Sequence, residues 1–163
     1  SALAFDKTGT LTEGRPKVSE IKTIESDKEM FLNIALSLES YSTHPISNAI
    51  VDYVSQFKSI TYDVTDFENI VGRGIKGKID HNIIYAGNIK LIESINENIV
   101  NYKEEIYSYE QQGYTVIIIA TADKIHGFIT VEDPLRSDIK QTLQQLNGSN
   151  IKAYRDIKRI KLH

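Results

Sequence analysis

The sequence predicts an α+β fold: an antiparallel sheet with helices against one face, inserted between two pieces of an α/β layer. Three observations predict it. Residues 75–79 and 83–86 flank the turn residues "DHN", and residues 115–120 and 125–131 flank "TADK", so two hairpins are expected. Two stretches ahead of the hairpins repeat apolar residues at helical spacing. At both ends the pattern changes to fragments of a strand, a turn-rich loop and a helix, as in an α/β layer.

Taken in order, residues 1–5 are apolar and Thr8 to Gly14 are turn and capping residues, which places Asp6 where a buried strand gives way to a loop. In open α/β sheets that is where sites form. Residues 18–24 alternate as a strand. "SDKE" at 26–29 reads as a capping box that starts a helix, with Met30, Phe31, Ile34, Ala35 and Leu38 on one face. A second helix runs from Pro45, at the tolerated first position, and buries Ile46, Ala49, Ile50, Tyr53, Val54 and Phe57. His44 stands at its entrance. From Val64 the pattern turns to short β segments. A helix over 99–112, stopped by Gly113, separates the two hairpins, and its tyrosines are expected to pack rather than to stack on bases. Asp133-Pro134 breaks the second hairpin, and Ser137 caps a helix over 137–146. The expected division is 1–13, 14–131 and 132–163.

Composition narrows the function classes. A chain of 163 residues with 40% apolar and 25% charged residues is suited to one well-buried domain and too apolar for disorder. A net charge of -3 with no dominant basic stripe speaks against nucleic acid as a partner. Without cysteine there is no disulfide or thiolate metal site, and His44, His81, His126 and His163 lack ligand spacing. The longest apolar run, "VIIIA" at 116–120, is far below the roughly 20 residues of a membrane-spanning helix. No signal peptide is read, and Ser1-Ala2 is expected to be a cut start rather than a native one.

An aspartate before a turn is a common cap, and Asp6-Lys7 alone would say no more. The seven-residue string "DKTGTLT", residues 6–12, is too long for chance and resembles the phosphorylation motif of P-type ATPases. The letters suit that chemistry. A strand-end aspartate attacks the γ-phosphorus of ATP in line when Mg²⁺ neutralises the oxygens, and free backbone N–H groups of small residues cradle the phosphoryl. The resemblance implies Asp6 as phosphoryl acceptor, Lys7 and Thr8 beside it, a partial Mg²⁺ site at Asp6 and Thr8, and a partial haloacid dehalogenase-like phosphorylation domain around the insert. Phosphatases of that fold usually carry a second aspartate where Thr8 stands, as general acid/base. Threonine cannot play that part, so the phospho-aspartate is expected to persist and a soluble phosphatase is disfavoured.

"SLESYSTHPISNAI", residues 37–50, resembles the nucleotide-binding domain of heavy-metal-transporting P-type ATPases. By that resemblance Glu39 accepts the exocyclic amine of adenine, and His44 packs on or hydrogen-bonds the base. A helix N-terminus favours the neutral imidazole this needs, although a histidine before proline, taken alone, reads as a cap. "GRGIKG", residues 72–77, formally satisfies G-x-G-x-x-G but is followed by a hairpin, so it is not a dinucleotide fingerprint. The family places a G-x-G loop there, which implies Gly72, Gly74 and Ile75 as ATP contacts, with a tight turn or bulge as the other reading. Gly87 and Asn88 match a Gly-Asn pair beside the family's pocket, or else Asn88 caps a helix. "VEDPLRSD", residues 131–138, resembles the returning hinge, where Arg136 meets ATP phosphates and Asp133 fixes the backbone, or else a surface turn.

The resemblance thus implies the ATP-binding region of a copper, zinc or cadmium pump at the cytoplasmic face of a membrane. It brings ATP and Mg²⁺ as cofactors, phosphorylates Asp6 in the intact pump, and reaches its heavy-metal ion through membrane segments absent from this chain. The wording around "TDFENIVGRGIKGKI" stands nearer to zinc/cadmium exporters than to copper exporters. After Ile151-Lys152 the tail "AYRDIKRIKLH" departs from the family, which continues into Thr-Gly-Asp, a phosphate-contacting lysine and Gly-Asp-Gly-x-Asn-Asp. Negligible turnover is therefore expected of this chain by itself. The alternative is a stand-alone, truncated ATP-binding or regulatory module without catalysis.

Overall fold

The computed structural model of the chain describes residues 14–134. The strand expected over 1–5, the helix over 137–146 and the flanking pieces of an α/β layer lie outside those residues. The elements in chain order are β1 (Lys17–Thr23), α1 (Lys28–Glu39), α2 (Pro45–Val54), β2 (Thr65–Ile70), β3 (Gly74–Ile79), β4 (Asn82–Gly87) and α3 (Ile89–Glu93). A 3₁₀ helix (Glu97–Tyr102), α4 (Lys103–Gln111), β5 (Tyr114–Ala120) and β6 (Ile125–Glu132) complete the series. The strands form one sheet in the order β1-β6-β5-β4-β3-β2, and every neighbouring pair is antiparallel.

Both expected hairpins are present. Asp80 and His81 join β3 to β4 with φ of 49° and 68°, the left-handed pair whose twist matches that of the flanking strands. Between β5 and β6 the register slips, Ile119 facing Gly127 while Ala120 faces Ile125. His126 is the extra residue of that bulge.

Helices cover both faces of the sheet, not one as expected. Along β5, Val116, Ile118 and Ala120 join a core with Ile92, Ile99, Ile106 and Phe128, while Ile117 and Ile119 join another with Phe31, Leu38, Ile50 and Val54. Alternate side chains of a strand point to opposite faces, so α1 and α2 lie on one side and α3, the 3₁₀ helix and α4 on the other. An unbroken "VIIIA" is what a strand buried on both sides requires. The helix expected over 99–112 divides into the 3₁₀ turn and α4, and Tyr109 packs edge-on against Phe128 with ring centroids 5.9 Å apart. The cap of α1 also sits one residue later than expected. The Asp27 carboxylate accepts from the Met30 N–H at 2.7 Å, whereas the Ser26 hydroxyl donates to the His126 carbonyl at 3.3 Å. With the Ser26 hydroxyl engaged by that distant carbonyl, the Asp27 carboxylate is left to cap the helix.

Candidate functional site

Five elements meet at one end of the sheet: the last turn of α1, the first turn of α2, the β2–β3 turn, the end of β4 and the start of β5. Between them lies a cleft of about 420 Å³, bordered among others by Glu39, Ser42, His44, Ser47, Gly72 and Asn88. Glu39 closes α1 and is only 3% exposed. Its Oε1 accepts the Ser47 hydroxyl at 2.6 Å. Burial pushes the carboxyl up to about 7, and the Ser47 bond offsets part of that rise.

His44 caps α2. Its Nδ1 accepts the Ile46 N–H at 3.1 Å, and its own backbone N–H donates to the Ser42 hydroxyl at 3.2 Å. An accepting Nδ1 puts the proton of the neutral ring on Nε2, leaving one donor on an exposed imidazole. The cap reading of His44 therefore holds, and it fixes the ring at the cleft rather than excluding it from a role there.

The G-x-G turn is held by its glycines in two different ways. Gly74 has φ of 153°, and a Cβ there would fall 2.3 Å from the Ala86 carbonyl oxygen, so backbone packing forbids any side chain. Gly87 is its counterpart on β4, where a Cβ would fall 2.3 Å from the Arg73 oxygen. Gly72, by contrast, has φ of 73° and nothing within 4 Å of the site of a Cβ. Asn88 ties the turn down: Nδ2 donates to the Gly72 carbonyl at 3.0 Å, its N–H to the Arg73 carbonyl at 2.9 Å, and Oδ1 caps α3 by accepting the Leu91 N–H at 3.0 Å. Its side-chain amide is committed at both ends, Nδ2 to the turn and Oδ1 to the helix cap.

The structure thus brings Glu39, His44, Gly72, Gly74, Ile75, Gly87 and Asn88 to the border of one cleft. Asp6, Lys7, Thr8 and Arg136 lie outside the described residues, and Asp133 follows the end of β6. Sequence reasoning missed Ser42, Ser47, Arg73 and Val71, all of which border the cleft. Val71 is 96% exposed at the tip of the turn, a position that apolar periodicity cannot flag. A neighbouring hollow of about 750 Å³, with Arg15, Pro16 and Asp52 on its wall, shares Glu39 and Ser42 with the cleft. No group of three or more potential metal ligands occurs among the described residues, and no helix among them is long and apolar enough to cross a membrane.

The family model for haloacid dehalogenase-like hydrolases matches residues 1–154. The chain belongs to the haloacid dehalogenase-like hydrolases. Within that family the chain is 38% identical over 151 residues to a copper-exporting P-type ATPase of Staphylococcus haemolyticus (strain JCSC1435), a match covering 93% of this chain and 18% of the relative. Among solved structures, this hydrolase-family chain is similar to a zinc-transporting PIB-type ATPase in the E2.Pi state, with 26% identity and a TM-score of 0.66 over 88% of this chain and 23% of that one. It is also similar to the catalytic domain of the CPx-ATPase CopB-B, described for its conformational changes upon nucleotide binding, with 26% identity and a TM-score of 0.55 over 88% and 48% of the two chains. The chain spans about a fifth of the length of the curated relatives it matches. The expected likeness to heavy-metal P-type ATPases is borne out, as is the α+β fold with its antiparallel sheet flanked by helices.

Proposed function

We propose that residues 14–131 are the nucleotide-binding domain of a heavy-metal-transporting P-type ATPase and that ATP occupies the cleft between Glu39, His44 and the G-x-G turn. The observation that carries this reading is the convergence of Glu39 and His44, five residues apart, with the G-x-G turn some thirty residues further on, at one cleft of about 420 Å³. That volume lies within the roughly 300–1,000 Å³ range of small-molecule sites. Each border has a use. The carboxyl of Glu39 offers hydrogen bonds to a base edge, the His44 ring offers a face and an Nε2 proton, and the open side of Gly72 lets a ligand approach backbone.

In the intact pump residues 1–13 and 132–163 contribute pieces of the phosphorylation domain. Asp6 accepts the phosphoryl group, Lys7 and Thr8 stand beside it, and Arg136 meets the phosphates when the domains close. Mg²⁺ belongs with Asp6 and Thr8 and supplies charge neutralisation when bound; no cluster among the described residues competes for it. The chain then works at the cytoplasmic face of a membrane, and its cargo is a heavy-metal ion, a reading supported by its likeness to proteins named for copper, cadmium and zinc transport.

An ATP titration followed by amide NMR tests the reading. The largest shifts are expected at Glu39, His44, Gly72, Gly74 and Asn88. No shift at millimolar ATP, or shifts gathered at the opposite end of the sheet around His81 and Asp123, would refute it.

A further inference from the structure

At the end of the sheet away from the cleft, the turns of both hairpins, the first half of α1 and Tyr62 enclose a second hollow, of about 610 Å³. That volume also suits a small molecule. Hydrogen bonds fix its walls in advance. The Tyr62 N–H donates to the Ser37 hydroxyl at 2.7 Å, and Asn33 Nδ2 donates to the Tyr62 hydroxyl at 3.2 Å. In the β5–β6 turn the Thr121 hydroxyl accepts the Asp123 and Lys124 N–H groups at 3.2 and 3.0 Å. Two apolar residues at the border, Met30 and Ile83, are left 45% and 44% exposed.

His126, the extra residue of the β5–β6 bulge, borders the same hollow and is only 6% exposed. Its Nδ1 is shut off from solvent and has no hydrogen-bond partner. Nε2 has no partner among the described residues either, but it is not shut off in that way, so it is the nitrogen that opens on the hollow the ring borders. A buried imidazole without partners is costly, and a group that enters the hollow and bonds to it relieves the cost.

We propose that this hollow binds an uncharged, hydroxyl-bearing aromatic molecule of the phenol class, with its ring against Met30, Tyr62 and Ile83 and its hydroxyl on Nε2 of His126. The site is separate from the nucleotide cleft and does not depend on what fills that cleft. The Tyr62 ring and the Met30 thioether favour a flat aromatic body. Charge disfavours an anion, because Asp80 and Asp123 stand at the border against one ammonium, that of Lys124. The charges acting on the His126 ring are Lys124 and Glu25, of opposite sign, and burial holds the ring in its neutral form. A neutral imidazole has one donor and one acceptor, and with Nδ1 unbonded no partner decides which nitrogen carries the proton. A hydroxyl both donates and accepts, so it bonds to Nε2 in either tautomer.

The experiment titrates the chain with 4-methylphenol, toluene and 4-methylbenzoate, followed by amide NMR and by the ring nitrogen signals of His126. Amide shifts are expected to gather at residues 79–85 and 121–126, with the Nε2 signal moving only for 4-methylphenol. That probe should bind about fivefold more tightly than toluene, the usual worth of one hydrogen bond to a buried group, and 4-methylbenzoate should bind more weakly than either. His126→Leu should abolish the preference for 4-methylphenol over toluene. Ile83→Lys, at an exposed position that the fold tolerates, should weaken both probes by placing a solvated ammonium at the border. Equal affinity for 4-methylphenol and toluene, tighter binding of 4-methylbenzoate, or no shift around the hollow at millimolar probe overturns the proposal. A preference that survives in His126→Leu also overturns it, and if that variant fails to fold, the three probes on the natural chain and on Ile83→Lys still decide. The ATP titration reads the other end of the sheet, so either reading can fail without the other.

Discussion

Replacing Glu39 by glutamine should make the domain markedly more stable than the natural chain at alkaline pH and nearly equal to it in acid. The cause is the burial that raises the carboxyl from 4.5 to about 7. A folded-state pKa above the unfolded one means that the folded protein holds the proton more tightly, so stability from this group is complete below 4.5 and is lost as pH rises through about 7. At 1.36 kcal/mol per pH unit the full cost of ionisation is about 3 kcal/mol, of which about 2.5 falls between about pH 5 and about pH 8. That is a large share of the roughly 5–15 kcal/mol that holds an ordinary domain folded. Urea unfolding of both proteins at several pH values, with unchanged slopes, measures it. His126 acts in the opposite sense: burial, helped by Lys124, lowers its ring below 6.5, so stability falls as pH drops through that value. His126 is present in both proteins and cancels in the difference. A stability difference that stays constant with pH to within about 0.5 kcal/mol would refute the reasoning, because additivity between separate sites holds to about that level.

His44→Ala should cost about 1 kcal/mol through the lost cap, whereas His44→Asn should recover that stability yet still bind ATP weakly; thermal melts beside an ATP titration separate the two roles. Gly74→Ala should destabilise by roughly 3 kcal/mol, since its methyl meets backbone, while Gly72→Ala should cost only about 1–2 kcal/mol; equal melting points for the two variants would contradict the packing described. Asn88→Asp should retain the α3 cap but lose the donor to the Gly72 carbonyl, and hydrogen exchange should show faster opening of the Gly72 to Gly74 amides with little change in α3.

Much of the fold was legible because its signals are local. Turn chemistry at Asp80-His81 and helical spacing after Asp27 and His44 act within a few residues and need no knowledge of the rest of the chain. The limits of α1 show where local reading fails. Ser26 and Asp27 are both good caps, and the choice between them depends on the His126 carbonyl, a hundred residues away, which engages Ser26. The short α3 was foreshadowed only by Asn88 as a cap, because five residues carry too little periodicity to register.

By itself the sequence determined the two hairpins, the helices α1 and α2, and the family signature in "DKTGTLT" and "SLESYSTHPISNAI", since each is written in contiguous residues. Only the tertiary structure decided that helices cover both faces of the sheet, that Asn88 ties down the G-x-G turn, and that Ser47 holds the carboxyl of Glu39. Those features depend on which distant groups come to share a buried volume. Burial, in turn, decides whether a glutamate is a charge or an acid.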